Sequence, residues 1–168
     1  MGTKGIFEKY CIDTSVFLDL WKEDGDLYKG TFPYIWNHIE KLINKGEIIA
    51  PVAVYDELRE EKEGEFPEWL RDNNDFFIDI SPPQLEFVRK VVDDFPQLTE
   101  GTKNGADPFL IALAKCSNLT VLTSEKSSPG KKIPKIPDLC RKYGVTCIDL
   151  RTFIVEEGII VDKAEMKK

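Results

Sequence analysis

The chain has 168 residues, 42% of them hydrophobic, and a net charge of −7, which suits one domain with a real core. No apolar run approaches the roughly 20 residues of a membrane helix and no charged-then-apolar leader is present, so no membrane association is expected and the location reads as cytoplasmic. The acidic balance excludes a uniformly basic nucleic-acid coat. Cys11, Cys116, Cys140 and Cys147 form no C-x-x-C pair, which argues against zinc and marks them as reduced packing residues.

Residues 1–9 read as a leader or expression remnant, 10–157 as the domain and 158–168 as a tail. Tyr10 to Ile12 is a short buried strand, and Ser15 to Trp21 a helix capped by Asp13, Thr14 or Ser15. Phe32 to Lys45 is a helix with Ile35, Ile39 and Leu42 on one face and Gly46 stopping it. Glu47 to Ala50 is a strand, and Pro51 opens the helix that follows. The charged stretch 59–75 reads as a surface excursion around a short turn at Glu68 to Arg71. Phe76 to Ile80 is a further strand, and Pro82 or Pro83 opens a helix through Leu85, Val88, Val91 and Val92 to Pro96. After a turn over Thr99 to Gly105 come helix Asp107–Cys116, strand Leu119–Thr123, helix Ile136–Tyr143 ended by Gly144, strand Val145–Asp149 and helix Leu150–Glu157. Short apolar strands alternating with helices predict an α/β fold, three layers α/β/α around a central, mostly parallel sheet. Ligands gather at the carboxyl ends of such strands.

Four acids fall at element boundaries: Asp13 after the first strand, Glu57 on the helix after the second, Asp107 before Pro108, and Glu125 after Thr123-Ser124. Three of them have a plain structural role open to them. Asp13 and Asp107 suit helix N-caps, a role that stabilises by about 1 kcal/mol, and Glu125 suits a solvated loop. Against this, Asp107 heads a stripe with Leu110, Ile111 and Ala114, and Glu57 lies on the apolar stripe of Val54 and Leu58 while Asp56 faces away. A buried ionised carboxylate needs a partner or a metal. Two like charges about 4 Å apart repel by on the order of 4 kcal/mol at an effective dielectric of 20, so a converging cluster protonates, separates or holds a cation. An oxygen-only donor set selects Mg²⁺ or Mn²⁺, whose usual chemistry is phosphodiester hydrolysis. Residues 126–142 carry a net charge of +5 against −12 on the remainder. This strip either steers phosphates or is a solvated loop and helix face.

Ile12-Asp13-Thr14-Ser15, Pro51 to Leu58, Ala106-Asp107-Pro108-Phe109-Leu110-Ile111-Ala112 and Val121-Leu122-Thr123-Ser124-Glu125 together resemble the PIN domains, small metal-dependent ribonucleases. The resemblance spans residues 10–157 in order and spacing. It implies a PIN-like fold, Asp13, Glu57 and Asp107 as core acidic metal ligands, and Ser15 and Thr123 as hydrogen-bonding positions around the metal. Glu125 departs from the pattern, because many PIN domains have Asp there, followed by an aromatic residue. The stretches Lys131 to Pro134 and Pro137 to Cys140 resemble a less characterised branch close to VapC-like toxins, which implies a toxin–antitoxin pair.

The expected function is a Mg²⁺- or Mn²⁺-dependent endoribonuclease. Asp13, Glu57, Asp107 and Glu125 form its catalytic and metal set, and Thr14, Ser15, Thr123, Ser124, Lys126, Lys131 and Lys132 line the RNA. A homodimer and an antitoxin protein are the expected partners. One alternative is a non-catalytic binding module on the same fold. Another is a Mg²⁺-dependent phosphate-receiving domain, which wants its acceptor on a middle strand and a lysine at a late strand end, whereas Asp13 follows the first strand.

Overall fold

The computed structural model describes residues 8–61, 66–99 and 105–159. Five strands form one parallel sheet, β1 (Tyr10–Ile12), β2 (Ile48–Pro51), β3 (Phe77–Ile78), β4 (Thr120–Leu122) and β5 (Cys147–Ile148), in the spatial order β3-β2-β1-β4-β5. Helices α1 (Thr14–Trp21), α2 (Pro33–Asn44), α3 (Val52–Leu58), α4 (Phe66–Asp72), α5 (Pro82–Asp94), α6 (Asp107–Ser117), α7 (Ile136–Tyr143) and α8 (Leu150–Glu156) flank it. This is the expected three-layer α/β/α arrangement. Every residue of β1 and β2 is buried, as apolar strands covered on both faces require.

The first strand in sequence is the middle strand in space, because β2 and β4 pair on its two sides. The argument against a phosphate-receiving domain from the place of Asp13 is therefore corrected: Asp13 does leave a middle strand. The register pairs Ile12 with Leu122, and the ladder runs one step further as the Asp13 amide donates to the Leu122 carbonyl at 3.0 Å. Asp13 and Thr123 consequently emerge side by side at the carboxyl edge.

Most expected elements are present, with ends shifted by a few residues. Gly46 and Gly144 stop their helices in the left-handed region, at φ 77° and 68°, where glycine lacks the Cβ penalty. Pro51 ends β2 and precedes α3 instead of opening it. The excursion expected over 59–75 is corrected within its described part. There α4 buries Phe66 and Leu70, and Trp69 donates its indole N–H to Glu40 Oε2 at 2.6 Å. Phe66, Trp69, Trp36 and Phe76 surround Phe17 of α1, with ring centroids 5.9 to 6.2 Å from its own. Cys11 and Cys140 are buried as expected, but Cys116 is exposed and packs nothing away. No helix among the described residues is long and apolar enough to cross a membrane. The expected leader apart from Glu8 and Lys9, most of the turn over Thr99–Gly105 and the tail beyond Ile159 lie outside the described residues.

Candidate functional site

The carboxyl edge of β1 and β4 is where the sequence-nominated acids gather. Asp13 stands at the N-cap position of α1, yet its side chain bonds no helix amide. Instead Oδ2 accepts from the Ser15 hydroxyl at 2.7 Å and from the Thr123 hydroxyl at 2.8 Å. Ser15 Oγ in turn accepts from the Ser124 amide at 2.9 Å. The expected capping role is thus replaced by a cross-strand hydroxyl cradle, which the β1–β4 register puts in place. Burial pushes Asp13 up to about 6, the charges of Glu125 and Glu57 push the same way, and the Ser15 and Thr123 hydroxyls hold it down. Thr123→Val, which removes one donor from the ionised form, is expected to raise the Asp13 pKa further. A carboxyl carbon-13 titration that leaves it unmoved would refute this reading of the cradle.

Asp107 is the first residue of α6, with Ala106 at the N-cap position and no side-chain cap bond. It is 5% exposed and its stripe partners Leu110, Ile111 and Ala114 are buried, so the cap reading is corrected here as well. Its carboxylate has no hydrogen-bond partner among the described residues. Burial, followed by the charges of Asp13, Glu125 and Glu57, pushes it up to about 9, with Lys135 opposing. A carboxylate buried beside three others with one cation to offset them is strongly under-neutralised.

The two glutamates are anchored by backbone amides. Glu57, half-buried on α3, accepts from the Ala106 amide at 2.8 Å, which ties α3 to the start of α6. Burial raises its pKa, the Ala106 amide and the Thr14 hydroxyl lower it, and Glu125 raises it. The buried Thr14 Oγ1 faces this group without completing a hydrogen bond of ordinary geometry. Glu125 accepts from the Ile136 amide at 2.8 Å, and its own amide donates to Thr123 Oγ1 at 3.1 Å. The loop that was expected to be solvated is therefore strapped to the first amide of α7.

Each glutamate has one oxygen committed in this way. Among the described residues no three acidic, histidine or cysteine side chains stand together as a ready cation cage. The chemistry of the donor set nevertheless fits a hard divalent cation: all oxygen, mutually repelling, and centred on Asp13 and the unpartnered Asp107. Clefts open on two sides. Glu57 lines one with Val52, Ala53, Ile78 and Phe109; Thr123, Ser124 and Glu125 line another with Lys126 and Arg141.

Of the residues expected to line RNA, Thr14, Ser15, Thr123 and Ser124 surround the acids, whereas Lys126, Lys131 and Lys132 are exposed on the loop between β4 and α7. Two further residues escaped the sequence reading. Asp19 accepts from the Ser124 hydroxyl at 3.1 Å, and its signal was the one-turn spacing from Ser15 on α1. Lys135, whose charge reaches Asp107, was submerged in the basic strip.

Residues 10–161 match the family model described as Domain of unknown function (DUF4411). No curated protein matches the chain.

Proposed function

We propose that this chain, which belongs to the DUF4411 family, is a PIN-type ribonuclease that hydrolyses RNA phosphodiester bonds with Mg²⁺ or Mn²⁺. The observation that carries the reading is the pair Asp13 and Asp107, buried at the carboxyl edge and under-neutralised by their own surroundings. Asp13, Asp107 and Glu57 would hold the cation, and Glu125 assists while it strings α7 to the site. Bound there, a divalent cation supplies charge neutralisation and the Lewis acidity that phosphodiester hydrolysis needs. Ser15 and Thr123 fix which oxygen of Asp13 is turned inward, as groups behind a ligand ordinarily do.

The toxin role and an antitoxin partner rest on the resemblance alone. Ile80, Leu85, Ile133 and Val155 are the large apolar side chains exposed among the described residues, and a homodimer is proposed on such surface. The phosphate-receiving alternative is favoured by the central place of β1. It is disfavoured by the strand ends that follow, where Thr123 and Asp149 stand in place of a lysine.

Wild type is expected to cleave single-stranded RNA when Mn²⁺ is titrated in, and Asp13→Asn to lose on the order of 100-fold in rate. Mn²⁺ should also raise the melting temperature of wild type by linkage. Equal cleavage by the variant would sink the assignment of Asp13, and a melting temperature indifferent to Mn²⁺ would favour the non-catalytic module.

A further inference from the structure

Lys135 is set apart from the other cations of the 126–142 strip by where its backbone is held. The next residue, Ile136, gives its amide to Glu125 Oε2 at 2.8 Å. The Lys135 carbonyl accepts from the amides of Asp138 and Leu139, both at 3.0 Å. Its position is therefore fixed from both sides, on one side directly against an acid of the candidate site. The side chain is half-buried, while those of Lys126, Lys131 and Lys132 are exposed. Among the described residues it makes no ion pair or hydrogen bond. The acid of its own segment, Asp138, is already occupied by the Ser127 hydroxyl, the Ser128 amide and Arg141.

Four carboxylates carry more negative charge than one divalent cation neutralises, so a cation of the protein beside the site favours the approach of a phosphodiester. Lys126 lines the cleft beside Glu125, but like Lys131 and Lys132 it is exposed, where salt screens a charge over about 10 Å. An uncommitted ammonium rooted beside Glu125 meets the need at close quarters. We propose that Lys135 is the substrate-binding residue that holds a phosphate of single-stranded RNA against the acidic site. This rests on the ribonuclease reading above. The field of Lys135 at Asp107 agrees with the placement, since it opposes the carboxylates there.

The test measures binding of a fluorescein-labelled single-stranded oligoribonucleotide by anisotropy, with Ca²⁺ as the cation, across a series of salt concentrations. Lys135→Met is expected to weaken binding about tenfold and to flatten the slope of log affinity against log salt by about 0.7, one phosphate contact on a single strand. Lys135→Arg should restore most of the affinity, and Lys41→Met, exposed on α2, should change neither quantity. In parallel cleavage assays with Mn²⁺, Lys135→Met should raise KM more than it lowers kcat, and the Mn²⁺ thermal shift should persist. Unchanged affinity and slope in Lys135→Met, with cleavage intact, overturns the assignment of Lys135 and leaves the nuclease reading standing. A lost Mn²⁺ shift with unchanged RNA affinity also overturns it, because Lys135 would then serve Asp107 alone. If wild type binds the oligonucleotide but never cleaves it, the nuclease reading fails while the salt slope still decides Lys135; if wild type does not bind it, both fail.

Discussion

The cation-free protein is expected to lose about 3 to 5 kcal/mol of stability between pH 5 and pH 9, the reverse of ordinary acid denaturation. Asp107 is pushed up to about 9 and Asp13 to about 6, each first by burial, against about 3.9 for an unfolded aspartate. A carboxyl whose folded pKa is raised binds more protons folded than unfolded between those two values. Its stabilisation is complete below about pH 4 and disappears as the pH rises through the folded value. At about 1.4 kcal/mol per unit either residue is a large contributor, but the two repel each other, so their contributions do not simply add. Glu57, also raised, acts in the same direction. Asp138, Asp149 and Glu157 are lowered by their hydrogen-bond partners, and their stabilisation is lost only on acidification through those low values, below the window in question. Urea denaturation in EDTA at pH 5, 7 and 9 measures the trend. Asp107→Asn should be more stable than wild type at pH 8 and flatten the profile, because a neutral amide escapes the repulsion. Mn²⁺ should restore stability most at high pH, where its ligands are already deprotonated. Stability in EDTA that climbs from pH 5 to pH 8 would remove the under-neutralised pair, and with it the main support for a cation site.

The parts of this fold legible in the sequence are those where local pattern and tertiary outcome agree. Apolar runs bounded by acids or glycines gave the strands, and Gly46 and Gly144 marked helix ends that only a residue tolerant of positive φ closes without strain. Asp13 and Asp107 were legible as candidates from position and stripe. Their conversion from caps into a shared acidic site was not, because it depends on β1 lying between β2 and β4, a long-range pairing that no local spacing encodes. Lys135 was hidden for a related reason. Six cations in one strip look alike in sequence, and only the bond between Ile136 and Glu125 separates the one that is rooted at the site. The helix α4 is a different failure. Phe66, Trp69 and Leu70 follow a helical i, i+3, i+4 pattern, but the surrounding charges outweighed it.

That aromatic layer supports the second large effect. Phe17→Ala is expected to destabilise the fold by about 3 to 5 kcal/mol, the range for truncating a fully buried phenylalanine. Phe17 is 0% exposed and its ring sits within 6.2 Å, centroid to centroid, of the rings of Trp36, Phe66, Trp69 and Phe76. Four large rigid neighbours, held on α2, on α4 and just before β3, cannot close together over the space left by a ring without breaking their own edge contacts, so the void persists. Leu85→Ala, at a position 36% exposed, should change stability by less than about 0.5 kcal/mol under the same conditions. The loss reaches the site through α1. The helix that buries Phe17 also carries Ser15, whose hydroxyl bonds Asp13 Oδ2 and accepts the Ser124 amide, so a loosened α1 should weaken Mn²⁺ binding together with stability. Chemical denaturation followed by tryptophan fluorescence reads the first effect, since Trp36 and Trp69 line the void. A shift in midpoint worth less than about 1 kcal/mol would mean that α4 does not seat against α1, and the aromatic layer would then carry none of the support assigned to it.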